Sequence, residues 1–264
     1  MQFVSYAELA QDVRIWAETL GHYDVVLGVP RSGMIPAAML ALAWNCSLST
    51  PALYPNLLSG GQRDVGPRGE RIIIIEDSWN TGRSMKAAQA MFPDADAGVV
   101  YATKDCPIPH ARVVQLPRIF EWNVFHHFWL QQTCMDIDGV LCVDPTKEEN
   151  DDGPKYQHFL RTAKAKWLPT RTVAHLVTSR LEKYRRETEL WLNAQGVKYG
   201  QLHMLDCKDA RERRRLNLHA RHKGKVATDV GAKLFVESSY RQASAIFQMT
   251  GIPTLCTDCM VMFS

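Results

Sequence analysis

The chain has 264 residues, 46% of them hydrophobic and 22% charged, with 16 glycines and 13 prolines. That ordinary globular composition excludes collagen-like, mucin-like and wholly disordered chains, and it leaves room for one large domain or two small ones. The net charge of +3 is uneven: residues 1–130 sum to −2 and residues 131–264 to +5, a mildly basic second half that suits phosphorylated substrates as readily as nucleic acid.

No apolar run reaches the ~18 residues of a membrane span. Met1–Ser5 has neither the basic nor the apolar region of a secretory leader. Seven scattered cysteines form no disulfide framework, and Cys256 with Cys259 makes a lone CxxC without a second pair. Buried thiols in a reducing cytoplasm are the expectation.

In chain order, Ser5 and Glu8 form a capping box that opens a helix. Leu9, Val13, Trp16 and Leu20 carry its helical spacing, and Gly21 stops it. Val25–Val29 reads as a buried strand and Met34–Trp44 as a helix. Residues 54–71 are polar and glycine-rich and hold Arg63, Arg68 and Arg71, a long loop of the kind that usually has a function. Ile72–Ile75 is another strand, with a helix from about Arg83, and Gly98–Ala102 and Val113–Leu116 read as strands. The alternation restarts after Leu130. Strands are expected at Cys134–Ile137, Val173–Val177, Leu234–Glu237 and Thr254–Cys256, and helices at Glu187–Gln195 and Tyr240–Thr250. The expected architecture is α/β: two domains, 1–129 and 130–264, each a Rossmann-like, mostly parallel sheet flanked by helices. The aromatic segment Phe120–Trp129 reads as interdomain packing rather than as an exposed linker.

Two constellations carry chemistry. In the first, the strand Ile72–Ile75 delivers Glu76 and Asp77, then Ser78, Trp79, Asn80, Thr81, Gly82, Arg83 and Ser84, and then a helix. Backbone N–H groups and hydroxyls at a helix N-terminus cradle phosphate, and the paired acids just before them suit sugar hydroxyls and nearby positive charge. This run resembles the phosphoribosyl pyrophosphate (PRPP) signature of type I phosphoribosyltransferases. Gly28-Val29-Pro30-Arg31-Ser32-Gly33 lies where that family carries its pyrophosphate loop, and 54–71 where it keeps its flexible catalytic loop. The resemblance covers about residues 1–128. It implies that Ser78, Asn80, Thr81, Gly82, Arg83 and Ser84 bind the 5-phosphate. Glu76 and Asp77 would bind the ribose hydroxyls and act in catalysis, and Arg31, Ser32 and Gly33 would bind pyrophosphate with Mg²⁺ bridging. One of Arg63, Arg68 and Arg71 would close over the reaction. The domain is short for the family, so the hood that recognises the acceptor is abbreviated.

In the second, Asp136 and Asp138 stand two apart just past a strand, placed for one to attack phosphorus and the other to protonate a leaving oxygen. Thr178 ends a later strand, Lys223 or Lys225 offers a cation, and Glu237 ends another strand. The order Asp-x-Asp-Gly, Thr, Lys, Glu resembles the four motifs of haloacid dehalogenase-type phosphatases over about 131–264. It implies a nucleophile at Asp136, a general acid/base at Asp138, a phosphoryl cradle of Thr178 and a lysine (Lys223 preferred), and Mg²⁺ held by Asp136, Asp138 and Glu237. Serines follow Glu237 where that family has a second acid. The seven Lys/Arg of Arg211–Lys225 read as a solvated helix face, because no aromatic residues interleave them for nucleic acid. Arg180, Lys183 and Arg186 are the candidates for a charged substrate.

Joined, the halves would install 5-phosphoribose from PRPP on an acceptor and then remove the phosphate, leaving a ribofuranosyl group. Such paired modules resemble those that place ribofuranose in bacterial surface polysaccharides, so a saccharide acceptor is the leading expectation. The alternatives are a nucleobase or nucleic-acid base with a nucleotidase half, and a PRPP-binding regulatory protein.

Overall fold

The computed structural model describes residues 1–61, 70–209, 212, 215 and 218–264. The chain forms two compact units, Gln2–Trp122 and Asn123–Ser264.

The first unit is built on a five-stranded, fully parallel sheet. Its strands are β2 (Val25–Gly28), β3 (Ser47–Ser49), β4 (Ile72–Ser78), β5 (Asp96–Ala102) and β6 (His110–Val113), in the order β3-β2-β4-β5-β6. Because side chains alternate across a strand, each face gathers its own core. Val26, Ile73, Ile75 and Val100 bury against Leu9, Val13 and Trp16 of α1 (Tyr6–Leu20) and Ala37 and Leu40 of α2 (Met34–Trp44). Val25, Leu27, Ile74 and Val99 bury against Met85 and Ala88 of α3 (Arg83–Met91). The capping box is formed as expected: the Ser5 hydroxyl accepts the Glu8 N–H at 3.2 Å, and Glu8 accepts the Ser5 N–H at 3.0 Å. A separate parallel pair joins β1 (Gln2–Val4) to β7 (Arg118–Phe120).

Val113–Leu116 is not a strand: β6 ends at Val113 and β7 starts at Arg118. Only Val114 of that run is buried, Leu116 is 65% exposed, and Pro117 has no N–H to give a ladder.

The second unit carries a six-stranded sheet in the order β10-β9-β8-β11-β12-β13, parallel except at its last strand. The strands are β8 (Thr133–Met135), β9 (Val173–Leu181), β10 (Tyr199–Leu205), β11 (Leu234–Glu237), β12 (Thr254–Cys256) and β13 (Val261–Phe263). Cys134, Val177 and Phe235 share a core with Ala227 of α6 (Leu218–Asp229) and Ile246 of α7 (Tyr240–Thr250). The pair α4 (Pro154–Thr162) and α5 (Arg185–Ala194) pack together, burying Tyr156, Phe159, Trp191 and Leu192. No helix among the described residues is long and apolar enough to cross a membrane. None of the seven cysteines is disulfide-bonded.

Each sheet has a point where the strand order reverses: between β2 and β4 in the first unit, and between β8 and β11 in the second. Crevices at the carboxyl ends of strands flanking such a point are where open α/β sheets bind ligands. Both sequence constellations lie there.

Candidate functional site

In the first unit, the chain leaves β2 through Val29–Gly33 and enters α2, while β4 ends in Glu76, Asp77 and Ser78 beside it. Gly33 brings the two together. A Cβ there would lie 2.6 Å from the Val29 carbonyl oxygen, 2.8 Å from that of Ile75 and 3.0 Å from the Glu76 Cα, so only glycine lets the turn rest on the β4 backbone. The Pro30–Arg31 peptide is cis. Arg31 is exposed, and the Ser32 hydroxyl donates to Asp77.

Asp77 is buried. Trp122 Nε1 donates to its Oδ2 at 2.8 Å, and Arg118 lies close enough to attract it. Burial pushes its carboxyl above the usual range, and the Trp122 and Ser32 hydrogen bonds pull it back in part. Glu76 is half-buried; desolvation first, and the neighbouring Asp77 charge second, raise it to about 7, while the Ser84 hydroxyl acts against the rise. Past Ser78, the Trp79 ring fills the space against which any side chain at residue 82 would collide, and Gly82 takes a left-handed φ of 70°. Neither α2 nor α3 has a side-chain cap at its N-terminus. Asn80, Thr81, Arg83 and Ser84 are exposed around the N-terminus of α3, whose first N–H groups are anion-binding donors. The crevice thus combines two acids, two uncapped helix N-termini and two exposed arginines, Arg31 and Arg83.

In the second unit, β8 delivers Asp136, whose N–H donates to the Val236 carbonyl at 2.9 Å across the switch point. Lys223 of α6 is fully buried and its Nζ donates to Asp136 Oδ2 at 2.6 Å, Glu237 Oε2 at 2.6 Å and Gln242 Oε1 at 3.0 Å. Lys225, by contrast, is exposed and paired with Asp229. Burial raises Asp136 first, against the pull of the Lys223 charge, and the Glu237 and Asp138 charges add to the rise. Burial also opposes the charge on Lys223, but its two carboxylate partners hold its pKa above the ordinary lysine range.

Asp138 faces a different cation. Arg180 Nη2 donates to Asp138 Oδ1 at 2.6 Å and Nε reaches both carboxylate oxygens at 3.1 Å. Burial alone would raise Asp138; the guanidinium outweighs it and holds the group below the usual carboxylate range. Arg180 is completely buried and also donates to Thr188 Oγ1 at 3.3 Å. It therefore does not present its charge to a substrate, contrary to the sequence reading. Of the other two candidates in that reading, Lys183 pairs with Asp152 at 3.0 Å and Arg186 is exposed. Thr178 is fully buried, and its hydroxyl accepts the Arg180 N–H at 3.1 Å.

A cleft of about 200 Å³ opens over Asp136, Asp138, Lys223 and Glu237, with Asp144 and Asp258 on its rim. Ser179, Ser238 and Gln242 also line it. Ser179 on β9 and Ser238 adjoin the predicted Thr178 and Glu237, whereas Asp144, Asp258 and Gln242 were given no role in the sequence, because only the folded topology brings them to the switch point. Among the described residues, no group of three His, Cys, Asp or Glu side chains is spaced to hold a metal ion. Of the three expected Mg²⁺ ligands, Asp138 has its carboxylate taken by Arg180, while Asp136 and Glu237, each bonded to Lys223, offer the hard oxygen atoms that Mg²⁺ prefers.

The long loop is placed only at its ends. Arg63 and Arg68 lie outside the described residues. Arg71 precedes β4, where it donates to the His22 carbonyl at 2.9 Å and lies 4.4 Å over the Tyr23 ring. Arg71 stands five residues before Glu76 along β4, about 16 Å at ~3.3 Å per strand residue, so Arg71 is not the residue that closes over the crevice. The basic stretch after Ala210 is described only at Glu212, Arg215 and from Leu218 onward.

No family model matches the chain. A curated relative, the xanthine-guanine phosphoribosyltransferase of Chromohalobacter salexigens, is 29% identical over 107 residues, covering 38% of this chain and 66% of the relative. The match therefore spans slightly less than two thirds of that relative's length. Among solved structures, a purine phosphoribosyltransferase from Pyrococcus horikoshii aligns with a TM-score of 0.35 at 18% identity, over 46% of this chain and 92% of the other. The xanthine-guanine-hypoxanthine phosphoribosyltransferase of Helicobacter pylori aligns with a TM-score of 0.36 at 16% identity, over 47% and 92%.

Proposed function

We propose that the first unit transfers 5-phosphoribose from PRPP to a nucleobase and that the second is a phosphomonoesterase acting on phosphorylated ribosyl products. For the transferase, the observation that carries the reading is the seating of the Pro30–Gly33 turn on the acid-bearing end of β4 through Gly33. In this reading the uncapped N-terminus of α3 and the residues Ser78–Ser84 hold the 5-phosphate. Arg31, Ser32 and Gly33 hold pyrophosphate, and Glu76 and Asp77 face the ribose hydroxyls. Pyrophosphate leaves C1 as the base nitrogen attacks, and the site works by positioning and by stabilising the leaving charge. The curated relative is named for purine bases, which favours a nucleobase over the saccharide that the sequence suggested.

For the phosphatase, the carrying observation is Lys223 between Asp136 and Glu237. Asp136 attacks phosphorus and the ester oxygen leaves, taking its proton from solvent, because Asp138 is ionised. Water then attacks the aspartyl-phosphate, Asp138 takes its proton, and inorganic phosphate departs. Arg180 keeps Asp138 ionised and fixes its orientation for accepting that proton, which then passes to solvent. Bound Mg²⁺, held by Asp136 and Glu237, would neutralise the phosphoryl oxygens.

Purified protein given Mg²⁺ and a nucleoside monophosphate should release inorganic phosphate, and Asp136→Asn should lower that rate at least about a thousandfold. An unchanged rate in that variant would remove Asp136 as the nucleophile.

A further inference from the structure

The catalytic loop of the second unit is lined by a strand-like segment that the proposed chemistry does not use. The Val143 N–H donates to the Lys164 carbonyl at 3.0 Å, the Lys166 N–H to that of Leu141 at 2.8 Å, and the Trp167 N–H to that of Val140 at 3.3 Å. Residues 164–167 thus run antiparallel to the chain just past Asp138. Lys166 Nζ fastens the segment further by donating to the Gly139 carbonyl at 2.5 Å.

Beside this segment lies a groove of about 470 Å³, lined by Val143, Asp144, Lys164, Ala165, Lys166 and Trp167. Asp144 lines both this groove and the cleft over Asp136, so the two adjoin at that residue. Trp167 is 49% exposed although it sits at the edge of a packed unit. Its ring stacks on Phe125, with centroids 5.9 Å apart and planes 15° from parallel, so it is braced from behind. A braced, half-exposed indole beside the exposed Lys164, with Lys166 engaged by Asp258 at 3.7 Å and by the Gly139 carbonyl, is a stacking platform for a base.

We infer that Trp167 and the Lys164–Trp167 segment form a base-binding subsite, so that the phosphatase takes a mononucleotide with its phosphate at Asp136 and its base on Trp167. Asp144, at the junction, is placed to accept a hydrogen bond from a ribose hydroxyl. The exposed Lys164 lies beside the platform, and Asp144 at the junction suits a neutral sugar. This inference specifies the substrate class of the phosphatase reading and rests on it.

The test compares guanosine 5′-monophosphate with ribose 5-phosphate, which lacks only the base. Wild type should show a kcat/KM about tenfold higher for the nucleotide. Trp167→Ala should lose that advantage through KM while ribose 5-phosphate turnover stays unchanged, and Trp167→Phe should keep most of it. Calorimetric binding to Asp136→Asn separates the subsite from the chemistry. Guanosine 5′-monophosphate should bind that variant about tenfold more tightly than it binds the Asp136→Asn, Trp167→Ala double variant. Trp167-dependent binding without any turnover in wild type would support the subsite and overturn the phosphatase reading. Equal handling of the two substrates by wild type, or a preference that survives Trp167→Ala, would overturn the subsite.

Discussion

Two lysines two positions apart on one helix have opposite fates. Lys223 and Lys225 are alike in type, and position alone favours the first, but the packing of α6 is what turns Lys223 in to two carboxylates while Lys225 meets solvent. Lys223→Ala would strand two buried acids and should cost about 3–5 kcal/mol of unfolding free energy. Lys225→Ala removes an exposed pair and should cost under about 1 kcal/mol; urea melts of the two variants check this. Arg180 was equally illegible. A sequence shows an arginine near a motif but not that its whole side chain is buried against Asp138. At Glu76 the raised pKa has a consequence for stability. The folded carboxyl keeps its proton to about 7, whereas the ordinary value is 4.5. The folded state therefore binds more protons than the unfolded state between those values, and the Glu76 contribution to stability falls as pH rises through that window. Glu76→Gln should flatten this part of the ligand-free melting-temperature profile; a slope identical to wild type would contradict the assignment.

At the scale of elements, what could be read was what is buried on both faces. The strands Leu234–Glu237 and Thr254–Cys256 and the helices Met34–Trp44 and Tyr240–Thr250 lie where apolar runs and helical spacing put them. The peripheral strands Ser47–Ser49, Tyr199–Leu205 and Val261–Phe263 were not legible, because strands at or near a sheet edge need no continuous apolar run. The motif loops were legible because glycine, acids and hydroxyls concentrate where strands hand over to helices, but their pairing across a switch point is a property of strand order. Gly33 tests that pairing. Gly33→Ala must push the turn off the β4 backbone, so it should cost about 1–3 kcal/mol and weaken PRPP binding at least about tenfold, read by calorimetry. Retained affinity would mean that the turn and the acid pair do not act as one site.

Over the whole molecule, the two constellations fall in different units, each at the switch point of its own sheet. The activities should therefore separate by mutation. Asp77→Ala should abolish pyrophosphate release and leave phosphate ester hydrolysis intact, and Asp136→Asn should do the reverse. The two-sheet architecture was legible because the strand–helix alternation restarts after Leu130. The acceptor was not, since no motif in the chain names it. The most direct measurement uses the purified full chain with PRPP, Mg²⁺ and guanine, following pyrophosphate and inorganic phosphate separately in wild type and Asp136→Asn. Base-dependent pyrophosphate is expected from both proteins, and inorganic phosphate from wild type alone. No base-dependent pyrophosphate from either, or equal phosphate from both, would contradict the proposed function.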